Sequence, residues 1–255
     1  MKPSPDFRQR VLAREWLCGT FLNLGSPITV ELAGLAGFDW VLLDHEHGPG
    51  GEDTLLHQLQ AAAATPAFPV VRIAVNETVR FKRALDMGAA GVMVPYVNTA
   101  AEARAAVAAM RYPPHGVRGV AKVTRGAGFG ADFEDYYLHA HERLLTIVQI
   151  ETPEAVDNID AIAAVEGADV LFVGPTDLTY NMGIRDQFDH PQFVEAVKKV
   201  ATAAHRHGRA AGVLVHNPAL VAKMRDYGFT FVALGSDGGA VRSGLLSILQ
   251  TLRAK

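Results

Sequence analysis

From Leu17 onward, short and almost continuously apolar runs alternate with longer stretches whose apolar residues recur every three or four positions. Continuous apolar runs suit strands buried on both faces, and the 3.6-residue period suits helices that bury one side. Eight strands are predicted, at Leu17–Leu24, Trp40–Asp44, Phe68–Ile73, Gly91–Tyr96, Leu144–Glu151, Val170–Gly174, Ala211–Val215 and Phe231–Gly235. Eight helices follow them, at Ile28–Ala36, Asp53–Ala64, Glu77–Met87, Ala100–Met110, Pro153–Ala164, Pro191–His207, Pro218–Tyr227 and Val241–Leu252. Several end at a glycine just ahead of the next strand (Gly37, Gly88, Gly167, Gly208 and Gly228), where the chain can turn left-handed readily. Strict alternation of eight such pairs predicts an α/β fold, a closed (β/α)8 TIM barrel formed by residues 1–255 as a single domain. An open doubly wound sheet would normally carry a glycine fingerprint after its first strand, and the turn there reads NLGSPITVE. One long connection, Arg111–Arg143, is rich in Gly, Arg and Pro and is expected to cover a site or touch another subunit.

Length and composition agree. Barrels of this type run to about 250 residues, and the chain has 255, of which 49% are hydrophobic and 20% charged. A net charge of −3 provides no field to attract nucleic acid or an anionic membrane. The single cysteine, Cys18, cannot form an internal disulfide; within its apolar run it is expected to be a small core residue rather than a nucleophile. The segment MKPSPDFRQRVLAREW holds no apolar stretch of signal-peptide length, and no apolar run approaches the roughly 20 residues of a membrane helix. A cytoplasmic protein is expected.

Barrel enzymes place their active sites at the C-terminal ends of the strands, and ionisable residues collect there in this sequence. Strand two ends in Asp44-His45-Glu46-His47, strand three reaches Arg72, strand five ends in Gln149-Ile150-Glu151, and strand six runs into Gly174-Pro175-Thr176-Asp177. Neighbouring parallel strands lie about 4.8 Å apart, so Glu151 and Asp177 can meet at one cation. Two hard oxygen ligands without a cysteine pair suit Mg2+, Mn2+ or Co2+, and nothing calls for an organic cofactor. Each carboxylate could instead be solvated or half of a salt bridge. Arg72 needs an anionic partner, either a structural ion pair to Asp44 or Glu46 or the developing oxyanion of a substrate. His45 and His47 would share a face of a strand and could bind zinc, as in a barrel hydrolase. The further histidines such a site needs after strands five and six are replaced by Glu151 and Asp177, and His216 after strand seven does not supply them. His47 is therefore read as a general acid/base oriented by Asp44 or a neighbour, and His45 is left without a role.

Together, WVLLDHEHGP, PVVRI, RYPPHGVRGV, VQIET and FVGPTDL resemble the HpcH/HpaI aldolases, metal-dependent 2-oxo-acid aldolases of the 4-hydroxy-2-oxoheptanedioate aldolase type, from about Thr20 to the C-terminus. The resemblance implies Glu151 and Asp177 as metal ligands, His47 as the acid/base with Asp44 hydrogen-bonded nearby, and Arg72 at the 2-oxo oxygen. It implies that backbone amides around Thr176 and Asp177, beyond Gly174 and Pro175, bind the substrate carboxylate. Gln149 would line the same pocket and Glu46 would support waters around the cation. Asp86 matches a position close to a neighbouring subunit's site, and Arg125 of the long loop is a further supporting candidate. Homo-hexamers, trimers of dimers that exchange C-terminal helices near 241–252, are implied as well. The family motif D-G-E-H has His45 in place of its glycine here, which bears on pocket width and on the choice of aldehyde.

The reaction so implied makes or breaks the C3–C4 bond of a 4-hydroxy-2-oxo acid, with pyruvate (or a relative such as hydroxypyruvate) and an aldehyde as the fragments. His47 would take the 4-hydroxyl proton, while Arg72 would stabilise the enolate. A Schiff-base aldolase needs a strand-end lysine. Lys82, Lys198, Lys199 and Lys223 fall on predicted helices and Lys2 and Lys255 are terminal, which leaves Lys122. A CoA-thioester lyase of the malyl-CoA or citrate-lyase type would need a basic surface, for which Arg118 and Arg125 are available. A non-enzymatic barrel gives no reason for ionisable groups to converge.

Overall fold

Eight parallel strands close on themselves in chain order in a computed structural model that describes residues 5–254. They are β1 (Leu17–Leu22), β2 (Trp40–Asp44), β3 (Phe68–Arg72), β4 (Gly91–Val94), β5 (Leu145–Ile150), β6 (Val170–Val173), β7 (Ala210–Val215) and β8 (Phe231–Ser236). The helices between them are α2 (Pro27–Leu35), α3 (Glu52–Ala62), α4 (Thr78–Asp86), α5 (Ala100–Met110), α6 (Phe133–Arg143), α7 (Pro153–Asp157), α8 (Ile159–Ala163), α9 (Pro175–Asn181), α10 (Pro191–Arg206) and α11 (Leu220–Asp226). α1 (Pro5–Leu12) precedes β1, and α12 (Asp237–Arg253) follows β8. The predicted single-domain (β/α)8 barrel is the observed fold.

Alternation along each strand divides the core in two. Leu17, Phe21, Trp40, Leu42, Val70, Ile147, Phe172 and Phe231 fill the barrel interior, whereas Val41, Leu43, Val71, Val92, Val148 and Leu171 pack outward beneath the helices. Trp40 stacks on Phe231 at 4.0 Å between centroids. α1 plugs the N-terminal end: its Phe7 stacks on Phe68 at 4.2 Å, and its Arg8 holds the buried Asp169 through bonds of 2.7 and 3.0 Å. With that end filled by aromatic rings, a ligand approaching the barrel axis meets open space at the C-terminal ends of the strands.

Three expectations change. The connection Arg111–Arg143 is not structureless, because it contains a short 3-10 segment (Arg125–Gly130) and then α6. It is fastened to the N-terminal rim: fully buried Arg118 pairs with Asp86 at 2.6 Å and lies over the Tyr112 ring. Arg125 donates to the carbonyls of Met87 and Leu59 near the ends of α4 and α3. The helix expected over Pro153–Ala164 breaks at Asn158 into α7 and α8. Cys18 is exposed rather than in the core, since it takes an outward-facing position of β1 on a part of the barrel wall that no helix covers. That gap arises because α12 leaves the barrel, its residues exposed from Gly239 onward.

Truncating Trp40→Ala removes the central interior ring and is expected to cost about 3–5 kcal/mol of folding stability. A drop in the urea midpoint of matching size checks this, and a change below about 1 kcal/mol would contradict the packing described.

Candidate active site

Continuing the inward-facing parity past the apolar layers brings polar side chains into the barrel mouth. Asp44 comes two residues after Leu42, Arg72 two after Val70, Gln149 and Glu151 two and four after Ile147, and His216 two after Leu214. Asp44 and Arg72 are also register partners across β2 and β3. Their side chains form a buried bidentate pair, Nε to Oδ1 at 2.9 Å and Nη2 to Oδ2 at 2.7 Å. Nη1 of Arg72 reaches Glu46 Oε2 at 3.0 Å, and the guanidinium lies 5.3 Å from the centre of the Phe21 ring. Burial works against ionised Asp44, but the Arg72 bonds overcome it and hold this carboxyl below the ordinary range. Burial likewise opposes the Arg72 charge, and Asp44 more than offsets it. Glu46 moves the other way: burial raises its pKa, and attraction to Arg72 only partly offsets this.

Glu151 has no comparable counter-charge. Only 2% exposed, it accepts Tyr96 N–H at 2.7 Å on Oε1 and Gln149 Nε2–H at 3.1 Å on Oε2. Burial, with the charges of Asp177 and Glu46 nearby, pushes its pKa up to about 7. Gly174 makes room for the carboxylate, because a Cβ there would run into Glu151 Oε2. Pro175 then opens α9 and puts Asp177 in its first turn. Tyr96 joins the two acids, its amide on Glu151 and its hydroxyl 3.3 Å from Asp177 Oδ1. Its backbone is left-handed, φ 51°, a conformation that costs a side-chain-bearing residue energy and collects at functional sites.

This donor set fits a hard divalent cation. The one guanidinium of the cluster is taken by Asp44 and Glu46, so Glu151 and Asp177 present hard, uncompensated oxygens. Among the described residues no group of three or more His, Cys, Asp or Glu side chains is gathered to hold a metal, so two carboxylates would leave the remaining positions to water and substrate. Gln149 Oε1 is buried without a bonding partner among the described residues, a further acceptor facing the same cluster.

The histidines divide. β2 ends at Asp44, so His45 and His47 lie in a turn and do not share a strand face. The His45 ring bonds Gln58 Oε1 at 2.9 Å, whereas His47, its side chain 66% exposed, lies 3.8 Å from Glu46 Oε2. Asp44 orients His47 only through its backbone amide, at 3.3 Å; the residue facing the imidazole is Glu46. Asp86 sits at the C-terminal end of α4, tied to Arg118, and Arg125 caps helix ends, so neither reaches this chain's own mouth. Both side chains are committed within the fold, which also removes Arg118 and Arg125 as a free basic surface. The described lysines offer no strand-end amine: Lys82, Lys198, Lys199 and Lys223 are helical, and Lys122 lies over the Phe133 ring. Lys2 and Lys255 lie outside the described residues.

Asp44, His47, Arg72, Gln149, Gly174, Pro175, Thr176 and Asp177 line one cavity of about 350 Å3, floored by Phe21, Phe172 and Leu214. Reading the sequence missed Tyr96, although the predicted strand four ended on it, at the level where the other site residues were sought. It also gave no role to His216, Asn23 and Ser236, which line the same cavity.

Residues 17–244 match the family model described as HpcH/HpaI aldolase/citrate lyase. A 5-keto-4-deoxy-D-glucarate aldolase from Salmonella arizonae is 42% identical over 247 residues, covering 97% of this chain and 96% of its own. An HpcH/HpaI aldolase/citrate lyase family protein from Burkholderia cenocepacia superposes with a TM-score of 0.94 at 35% identity, covering 98% of this chain and 100% of that one. The HpcH/HpaI aldolase from Desulfitobacterium hafniense gives a TM-score of 0.90 at 29% identity, covering 98% and 97%.

Glu151 also sets a pH dependence. A carboxyl whose folded pKa is raised from 4.5 to about 7 favours folding fully below its unfolded value and loses that contribution as pH rises through about 7. In metal-free protein, Glu151→Gln is therefore expected to flatten the stability decline between pH 5 and 8, by on the order of 2–4 kcal/mol. Urea unfolding at several pH values in EDTA checks this, and parallel profiles for wild type and variant would contradict it.

Proposed function

The chain belongs to the HpcH/HpaI aldolase/citrate lyase family, enzymes of the carbon–carbon lyase kind, and we propose that it is a divalent-metal-dependent aldolase acting on 4-hydroxy-2-oxo acids. The observation that carries this reading is the Glu151 carboxylate, buried beside Asp177 while the nearby guanidinium is spent on other acids. Glu151 and Asp177 would hold Mg2+, Mn2+ or Co2+, which when bound supplies Lewis acidity at the 2-oxo oxygen.

The remaining work falls to side chains. Two of the five N–H groups of Arg72 donate to Asp44, and Nη1 is ion-paired with Glu46, leaving further N–H groups to donate to the oxygen that gains charge as the enolate forms. Asp44 fixes the guanidinium plane, so this donation needs little reorganisation. Gln149 holds the Glu151 carboxylate in place through its Nε2–H. The amides of Thr176 and Asp177, beyond Gly174 and Pro175, would take the substrate carboxylate. His47, open to the cavity, would remove the 4-hydroxyl proton as the C3–C4 bond breaks, with Glu46 stabilising the imidazolium that results. Return of a proton to C3 gives pyruvate, and the other fragment leaves as an aldehyde. The 42% identical 5-keto-4-deoxy-D-glucarate aldolase suggests a hydroxylated sugar-acid substrate for this chain too.

We further infer assembly with copies of itself, as a hexamer, a trimer of dimers that exchange C-terminal helices. The support is physical. α12 exposes Val241, Leu245, Leu246, Ile248, Leu249 and Leu252, and an apolar groove of about 720 Å3 beside it is lined by Leu22, Leu32, Phe38 and Leu234 among others. Apolar surface of this extent marks an interaction site. No helix among the described residues is long and apolar enough to cross a membrane, and the protein is proposed to work in the cytoplasm.

Glu151→Gln and Asp177→Asn are each expected to lower metal-dependent retro-aldol turnover by at least about a hundredfold, with EDTA abolishing wild-type activity; release of pyruvate followed by coupled assay checks this. Near-wild-type rates in either variant would refute the assignment. Leu249→Glu is expected to shift the mass in light scattering from an oligomer toward a smaller species, and an unchanged mass would remove the exchanged helix from the account.

A further inference from the structure

The cavity has two unlike walls. Its charged groups Asp44, Arg72 and Asp177, with the buried Glu151 behind them, come from the C-terminal ends of β2, β3, β6 and β5. The closed strand order makes β7, β8 and β1 one continuous arc on the remaining side, and their C-terminal ends contribute His216, Ser236 and Asn23 to the cavity. None of these three is a metal-type anion or a fixed cation, and all can hydrogen-bond.

Each also retains bonding capacity. His216 Nε2 lies 3.4 Å from Thr176 Oγ1, which turns the ring toward the first turn of α9 and leaves Nδ1 without a bonding partner among the described residues. Burial on its packed side keeps this imidazole below the usual histidine pKa, so it acts as a neutral donor and acceptor. Ser236 Oγ accepts Gly239 N–H at 3.2 Å, and its own proton stays available. The Asn23 backbone amide is taken by Asp237, while its side chain lies against Gly238. Beneath the arc the surface is apolar, formed by Phe21, Phe172 and Leu214.

We propose that His216, with Ser236 and Asn23, forms the subsite for the aldehyde fragment and selects aldehydes bearing a hydroxyl next to the carbonyl. This rests on the aldolase reading above and deepens it. With the 2-oxo acid end held against Glu151, Asp177 and Arg72, the new bond must project its aldehyde half away from the charged wall. The β7–β8–β1 arc is where that half arrives. Polar groups that the bound substrate closes off from water, and that an apolar aldehyde leaves unpaired, would disfavour it, so discrimination comes from missing hydrogen bonds. His216 is a specificity residue in this scheme and takes no part in moving the 4-hydroxyl proton.

The test has two arms. Wild type with Mn2+ and pyruvate in D2O is followed by proton NMR for exchange at C3, which needs no aldehyde. The ratio of kcat/KM for glyceraldehyde over propanal, with pyruvate as partner, is then measured for wild type, His216→Leu and His216→Asn. The wild-type ratio is expected to favour glyceraldehyde, to fall about fivefold or more in His216→Leu, and to be largely kept in His216→Asn, which retains a donor and an acceptor. His216→Ala is read instead should the leucine variant misfold. Exchange with a ratio unchanged by removing the imidazole, or with no wild-type preference, would overturn the subsite alone. No exchange in wild type would overturn the aldolase reading and the subsite with it.

Discussion

Four carboxylates and a single guanidinium share the mouth of this barrel, and the imbalance governs what the site can be. Asp44 and Glu46 take Arg72, so the charge of Glu151 is left in a place that water scarcely reaches. An isolated buried carboxylate either takes up a proton or finds a cation, because desolvation of the ion is too unfavourable otherwise. A pKa pushed up to about 7 is the first of these tendencies. Binding of a divalent ion would be the second, and it would satisfy Asp177 at the same time.

The scaffold makes that arrangement reproducible. Parallel pairing puts Asp44 opposite Arg72 and Ile150 opposite Val173, and the two-residue alternation then sends Arg72, Gln149 and Glu151 inward together. Gly174 removes the one Cβ that would collide with the Glu151 carboxylate. Tyr96 adds a brace that spans both acids, at the expense of a left-handed backbone. The strands below, packed around the Trp40 and Phe231 rings, support these groups from beneath.

How much of this could be read from residues alone depends on the kind of information each feature carries. Strands and most helices were legible because buried β-structure and one-sided helices write different periods into the chain. The site acids were legible because they stand at strand ends, where a barrel exposes polar groups to its axis. Tyr96 was not, since half of its contribution is a backbone N–H, which any residue would provide. The separation of His45 from His47 depends on β2 stopping at Asp44, and a strand running three residues further, through His47, would have aligned them. Cys18 was placed in the core because its neighbours are apolar; its exposure follows from the path of α12, some 220 residues later, which no local pattern encodes. The same holds for Asp86 and Arg125, whose partners Arg118, Met87 and Leu59 are set by how the long connection wraps the N-terminal rim.

Anomalous diffraction at the manganese edge from crystals grown with Mn2+ and pyruvate tests the central claim most directly. One peak per chain, within bonding distance of a Glu151 oxygen and an Asp177 oxygen and beside Arg72, is the expected result. A Mn2+ ion bound elsewhere with these two carboxylates left bare, or no peak at saturating metal, would contradict it.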